Sequence, residues 1–196
     1  GKIPVLGFWK LKSGQAPGRT SADPAVPPLK TNRHLFMHYA NNIWKHYNPV
    51  KIIGGFGALN HLTTLAIADD WLLVTSPGFT KRGLVDRLRT LVSFSNIIVH
   101  DQVSSNPDLD ELDSLTNKFR GNDLKGVLAL GGGSVLDTAK VLSVTIPSQI
   151  EFPLDKMLRL EYDTTWADKL SVIAVPTTSG TGAEVTPFST VWDFQG

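Results

Sequence analysis

Two runs, Trp71-Leu72-Leu73-Val74-Thr75 and Gly126-Val127-Leu128-Ala129-Leu130, are apolar at nearly every position, and this limits the available folds more than any other feature. A strand with one wet face alternates polar and apolar residues. A strand without alternation needs cover on both faces, which points to parallel βαβ units with helices above and below a sheet. Val50–Ile53, Asn96–His100 and Leu170–Val175 read as further strands, the first ended by Gly54-Gly55 and the last stopped by Pro176. Helical spacing fills the intervals: Ala58–Ala68 with Leu59, Leu62 and Leu65, and Lys81–Ser93 with Leu84, Leu88, Leu91 and Val92 on one side. Leu109–Phe119, capped by Asp108 or Asn106, and Ser134–Thr145 are the other helices. There are roughly four such units and no internal repeat, so the expected fold is a doubly wound, mainly parallel α/β domain.

Residues 1–36 do not share this order. Pro4, Pro17, Pro24, Pro27 and Pro28 interrupt them, and no periodicity persists. Met37 opens the regular part, so residues 1–36 read as an irregular leader or appended segment, with a genuine N-terminal arm as the alternative, and 37–196 as the domain. Composition narrows the function classes. The 196 residues are 41% hydrophobic and 19% charged, with a net charge of +1, which gives no field to gather nucleic acid or acidic membranes. There is no basic stripe or aromatic platform for a nucleic acid, and no apolar run of about 20 residues to cross a bilayer. The absence of cysteine excludes disulfides, thiolate chemistry and sulfur-ligated zinc, and is compatible with a cytoplasmic protein.

Chemistry concentrates in two loops. In Leu130-Gly131-Gly132-Gly133-Ser134 a buried strand ends, three glycines turn, and a helix begins. A helix start carries unpaired N–H groups and partial positive charge, and glycines let a pyrophosphate approach them. Ser134 can donate to a phosphate or cap the helix. Asp137, on the first turn, suits the helix electrostatically and could also orient the turn; Glu184 is similarly open. The run is neither G-x-G-x-x-G nor a P-loop. The second loop, Pro176-Thr177-Thr178-Ser179-Gly180-Thr181-Gly182, also follows a buried strand, so both loops belong on the carboxyl edge of the sheet, where ligands of open α/β folds bind.

GGGSVLDTAK (131–140) and PTTSGTGAEVTPFSTVWD (176–193) together resemble the two signatures of the iron-containing (group III) alcohol dehydrogenase family. NPVKIIGGFGAL (48–59) and SNPDL (105–109) are similar to its first strand and its Asn-Pro loop. The resemblance implies a Rossmann-like nucleotide domain, an NAD(P) cofactor, and hydride transfer with a small alcohol or aldehyde. By position, Gly132, Gly133 and Ser134 would contact the pyrophosphate, and Thr177, Thr178 and Thr181 would line the nucleotide site. Asn106 would lie near the adenosine, and Phe188 would reach the cofactor cleft. Ser76 stands where NAD-preferring members carry an aspartate. With Lys81 and Arg82 nearby, this favours NADP over NAD.

The family's metal ligands, an aspartate and three histidines, belong to a helical domain downstream of the second signature. The five histidines here match none of them, so no catalytic or metal residue is expected in this chain. Fe(II) or zinc is expected only in a full-length relative, and activity is expected to be weak without that domain. The TPFSTVWD ending is similar to members associated with phosphonoacetaldehyde reduction. The alternatives are a non-catalytic NAD(P)-binding module and a relative of the glycerol dehydrogenases or dehydroquinate synthases. Apolar surface left bare by the missing domain should drive homo-oligomerisation, aided by strand pairing at Val50–Ile53.

Overall fold

The structure, a computed structural model, describes residues 7–12, 48–65, 70–92, 96–161, 166 and 168–195. In chain order the elements are β1 (Gly7–Lys12), a 3₁₀ helix (Ala58–Leu65), β2 (Asp70–Thr75), α1 (Pro77–Lys81), α2 (Leu84–Leu91) and β3 (Asn96–His100). Then come α3 (Leu109–Phe119), β4 (Leu124–Gly131), α4 (Gly133–Thr145), α5 (Pro153–Leu158), β5 (Ser171–Pro176) and β6 (Phe188–Asp193). Four strands form one parallel sheet in the order β3-β2-β4-β5, while β1 and β6 pair separately, also in parallel.

The unbroken apolar strands are covered on both faces, as their composition requires. Leu72, Val74, Val127 and Ala129 point to one side, against Leu115 and Phe119 of α3 and Val135, Leu136, Ala139 and Leu142 of α4. Their neighbours Trp71, Leu73, Leu128 and Leu130 point to the other, against Leu62 of the 3₁₀ helix and Val85 and Leu88 of α2. Each fully buried leucine contributes roughly 1.5–3 kcal/mol relative to exposure, so these two layers dominate stability. Gly126 is a packing requirement: a Cβ there would lie 2.3 Å from the Trp71 ring, which crosses β4 at a register shift between Asp70 and Trp71.

A third cluster joins β6 to the helices, with Leu109 and Leu112 of α3, Val141 of α4, Leu154 of α5 and Val191 of β6. Arg159 fixes the end of that strand. Its guanidinium pairs with Asp110 at 2.8 and 3.1 Å, with fully buried Asp193 at 2.8 Å and with Asp155 at 3.1 Å. The Asp193 and Asp110 carboxylates push the guanidinium pKa up, so the charge is permanent. Asp113 accepts from the Leu154 and Asp155 amides at the start of α5; burial raises its pKa against the opposing effect of those two bonds.

The structure departs from the sequence reading in several places. Val50–Ile53 is extended but unpaired, with Ile52 73% exposed: a β-branched run needs a neighbouring backbone, and none lies beside it among the described residues. The expected Ala58–Ala68 helix is a 3₁₀ helix ending at Leu65, where the Thr63 hydroxyl bonds back to the Asn60 carbonyl; residues 66–68 lie outside the described residues. The expected Lys81–Ser93 helix is the shorter α2, Leu84–Leu91: Lys81 ends the separate α1, Gly83 takes a left-handed conformation (φ 72°) between them, and Ser93 lies outside the described residues. Residues 1–36, read as irregular, contain β1, a six-residue strand too short to show a period between Pro4 and Pro17. Strand β6 and helix α5 were not expected.

Candidate functional site

The strand order fixes where the loops converge. From β2 the chain moves to β3 on one side and then to β4 on the other, so the winding reverses between β2 and β4. Ligands of such sheets bind beyond the carboxyl ends at that reversal. The Thr75 hydroxyl donates to the Leu130 carbonyl at 2.7 Å in the buried interior and ties the two strand ends together. Ser76 follows β2, Asn106 lies in the loop after β3, Gly131–Ser134 follow β4, and Thr177–Thr181 follow β5.

The two signature loops lie on one another. The Thr177 amide donates to the Gly131 carbonyl at 3.0 Å. A Cβ on Gly132 would stand 2.9 Å from the Thr178 hydroxyl oxygen, and one on Gly133 would stand 3.2 Å from Thr181 Cγ2. The glycines therefore admit the threonine loop. The Asn-Pro loop closes the third side. Asn106, left-handed at φ 58°, donates its amide to Ser134 Oγ at 3.3 Å, and the Pro107 carbonyl accepts from the Trp192 amide at 2.8 Å.

These loops and β6 bound a cleft of about 420 Å³. Asn106, Gly133, Ser134, Asp137, Thr181 and Phe188 line it, all of them named from the sequence. Gly132, Thr177, Thr178 and Ser76 stand outside the lining: the first three join the two loops through the contacts above, and Ser76 precedes α1 at the end of β2. Thr186, Thr190 and Trp192 also line it and were missed by the sequence reading. Their signal was present as alternation. Phe188, Thr190 and Trp192 face the cleft, while Ser189, Val191 and Asp193 on the other face of β6 are at most 1% exposed.

Helix α4 begins inside this cleft with Gly132 as its N-cap, no side-chain cap and no acidic residue in its first turn. Its first N–H groups have no intrahelical acceptor and concentrate positive potential there. Ser134 Oγ accepts from Asn106, which leaves its own proton to donate. The one carboxylate on the lining, Asp137, is matched by Lys140 at 3.0 Å, with the two side chains only 14% and 11% exposed. The donor set of backbone amides and hydroxyls, with its one negative charge neutralised, suits phosphate oxygens. For iron the fit fails here: among the described residues no three His, Cys, Asp or Glu side chains converge to hold a metal ion.

Fold and cleft together define a Rossmann-like α/β domain with an uncapped helix start at its topological reversal. The family model for iron-containing alcohol dehydrogenases matches residues 49–196, and the chain belongs to that family. It is 30% identical to a sulfoacetaldehyde reductase of Bilophila wadsworthia over 76% of this chain and 38% of that protein. It is 33% identical to a phosphonoacetaldehyde reductase of Streptomyces viridochromogenes over 62% of this chain and 31% of that one. Among solved structures, sulfoacetaldehyde reductase from Bifidobacterium kashiwanohense in complex with NAD+ superposes with a TM-score of 0.65 at 25% identity, over 78% of this chain and 46% of that one. The chain thus spans less than half the length of each of these relatives.

Proposed function

We propose that this chain is the dinucleotide-binding part of an alcohol dehydrogenase or aldehyde reductase that moves hydride between NAD(P) and a small alcohol or aldehyde. The observation that carries this is the uncapped start of α4, opening with Gly133 and Ser134 into a cleft that Thr181 of the threonine loop also lines. In this reading Gly132, Gly133 and Ser134 hold the pyrophosphate and Thr177, Thr178 and Thr181 flank it. Asn106 lies toward the adenosine, Phe188 walls the cleft, and Asp137 serves through Lys140. Residues 37–196 are the nucleotide domain and 1–36 a leader or arm. The bound nicotinamide would supply the hydride chemistry, and this chain the binding and orientation.

NADP is favoured over NAD. No carboxylate follows β2 to repel a 2′-phosphate, because Ser76 holds that place. Arg82 lies over the Phe79 ring at 4.6 Å and folds back to within 3.4 Å of a Cβ position at Gly78, which brings a cation close to Ser76. The two relatives named as reductases of small aldehydes bearing an acidic group make such aldehydes the first substrates to try. Iron or zinc would be held by residues other than those described, and weak or absent turnover by this chain alone is part of the proposal. Exposed Val50, Ile52, Ile53 and Phe56 support self-association. No described helix is long and apolar enough to cross a membrane, and a cytoplasmic location is proposed with the function.

Fluorescence titration with NADPH and NADH tests this directly. The expected result is saturable binding with NADPH the tighter, and an Arg82→Ala variant that loses the preference while keeping NADH affinity. Absence of binding to either nucleotide would overturn the proposal. Metal-dependent alcohol oxidation by the purified chain would overturn the expectation of weak turnover.

A further inference from the structure

Near the cleft, Asp137 and Lys140 are almost withdrawn from solvent, yet both sit on the second turn of the helix that opens into it. An ammonium has three N–H donors. Those of Lys140 go to Asp137 Oδ1 at 3.0 Å, to the Phe188 carbonyl and to Thr186 Oγ1 at 3.4 Å. Asp137 Oδ2 accepts from the Thr190 amide at 3.2 Å, and the Asp137 carbonyl accepts from the Ser189 hydroxyl at 3.4 Å.

The Phe188 carbonyl and the Thr190 amide are main-chain groups two residues apart on β6, the kind a neighbouring strand would pair. Strand β1 pairs with β6, and on the α4 side the two charged side chains bond these groups instead. We propose that Asp137 and Lys140 form a clamp that positions the Thr186–Thr190 wall of the cleft, so that Lys140 sets nucleotide affinity without touching the nucleotide. The inference rests on the nucleotide-binding reading. Thr186, Phe188 and Thr190 face Gly133 and Ser134 across the cleft, and all three are held by this pair. The clamp sits on α4, so the phosphate-facing turn and the opposite wall move as one body. Its low exposure makes these bonds stronger than those of a solvated surface pair.

Lys140→Met keeps the aliphatic stem and removes all three donors; Lys140→Arg keeps donors and charge. Lys125→Met, at the exposed pair with Asp123, controls for loss of a positive charge. Two readouts are needed: amide hydrogen exchange across 186–190, and NADPH affinity by fluorescence. Lys140→Met is expected to speed exchange at Thr190 and raise Kd about tenfold, with Lys140→Arg recovering most of both and Lys125→Met changing neither. Unchanged exchange and affinity in Lys140→Met would overturn the clamp. A raised Kd with unchanged exchange would also overturn it, because Lys140 would then be contacting the nucleotide itself. Absence of binding in the unaltered chain would defeat the nucleotide reading separately, leaving the Thr190 amide to decide the clamp. If Lys140→Met does not fold, Asp137→Asn breaks the ion pair while retaining an acceptor for Thr190, and the same two readouts apply.

Discussion

Helices α3 and α4 start at the same edge of the same sheet and are built in opposite ways. Before α3, Asp108 turns its carboxylate back onto the amides of Asp110 and Glu111, both at 3.1 Å, and those two residues add negative charge to the first turn. Before α4 stands Gly132, with no side chain to bond anything and no acid in the turn that follows. The first helix satisfies its own donors and repels an anion; the second leaves them facing a cleft. A missing N-cap costs about 1 kcal/mol of helix stability. Helix α4 bears that cost where it meets the two signature loops; α1, α2 and α5 also lack a side-chain cap, but none of them lines the cleft. Capping thus separates these two helix starts, one closed by its own carboxylate and the other open to the cleft.

The largest test exchanges the two designs. Gly132→Asp would place a carboxylate at the start of α4, where it caps the helix and repels phosphate. Nucleotide affinity should fall roughly hundredfold, equivalent to about 2.7 kcal/mol, while the thermal midpoint changes little once Thr178 shifts aside. Equal affinity in that variant would mean that no phosphate sits there. The reverse change, Asp108→Ala, uncaps α3. Denaturant unfolding should show a loss of about 1 kcal/mol with nucleotide affinity intact. A drop in affinity without a drop in stability would show that the start of α3 is part of the site, and the contrast between the helices would collapse.

The same contrast explains what the sequence could reveal. Trp71–Thr75 and Gly126–Leu130 were legible as central strands because burial on both faces erases alternation, and α3 was legible to the residue because its cap and apolar period are local. The Gly132–Ser134 turn was legible for the same reason: the strand end, the glycines and the uncapped helix start lie within a few residues. What escaped depends on distant partners. Asp137 reads as an ordinary first-turn acid until Thr190, 53 residues on, is seen to donate to it. Lys140 likewise has no visible role until it meets Phe188, 48 residues away. Strand β6 hid inside a motif quoted for its residues, although its alternation was there to be read. Val50–Ile53 fails in the opposite sense: its local propensity is right for a strand, and the described residues offer it no neighbour.

The smallest expected effect concerns the far end of α3. His100, 7% exposed at the end of β3, meets Phe119 edge to face with ring centroids 6.0 Å apart. Burial, reinforced by the Lys118 ammonium, holds its pKa below the ordinary 6.5, against a weaker opposing pull from Asp101. The unfolded chain therefore takes up this proton at a higher pH than the folded one. Stability from this group is complete above about pH 6.5 and is lost as pH falls from there through the folded-state pKa. Thermal melts at falling pH should show that decline, smaller than the effect of Asp108→Ala, and His100→Gln should flatten it. NADH affinity, measured where the chain remains folded, should not follow the same curve, because the proton enters beneath α3 and not at the open start of α4. A matching pH dependence in both would mean that the two helix starts are coupled through the sheet edge they share, and that their division of labour is incomplete.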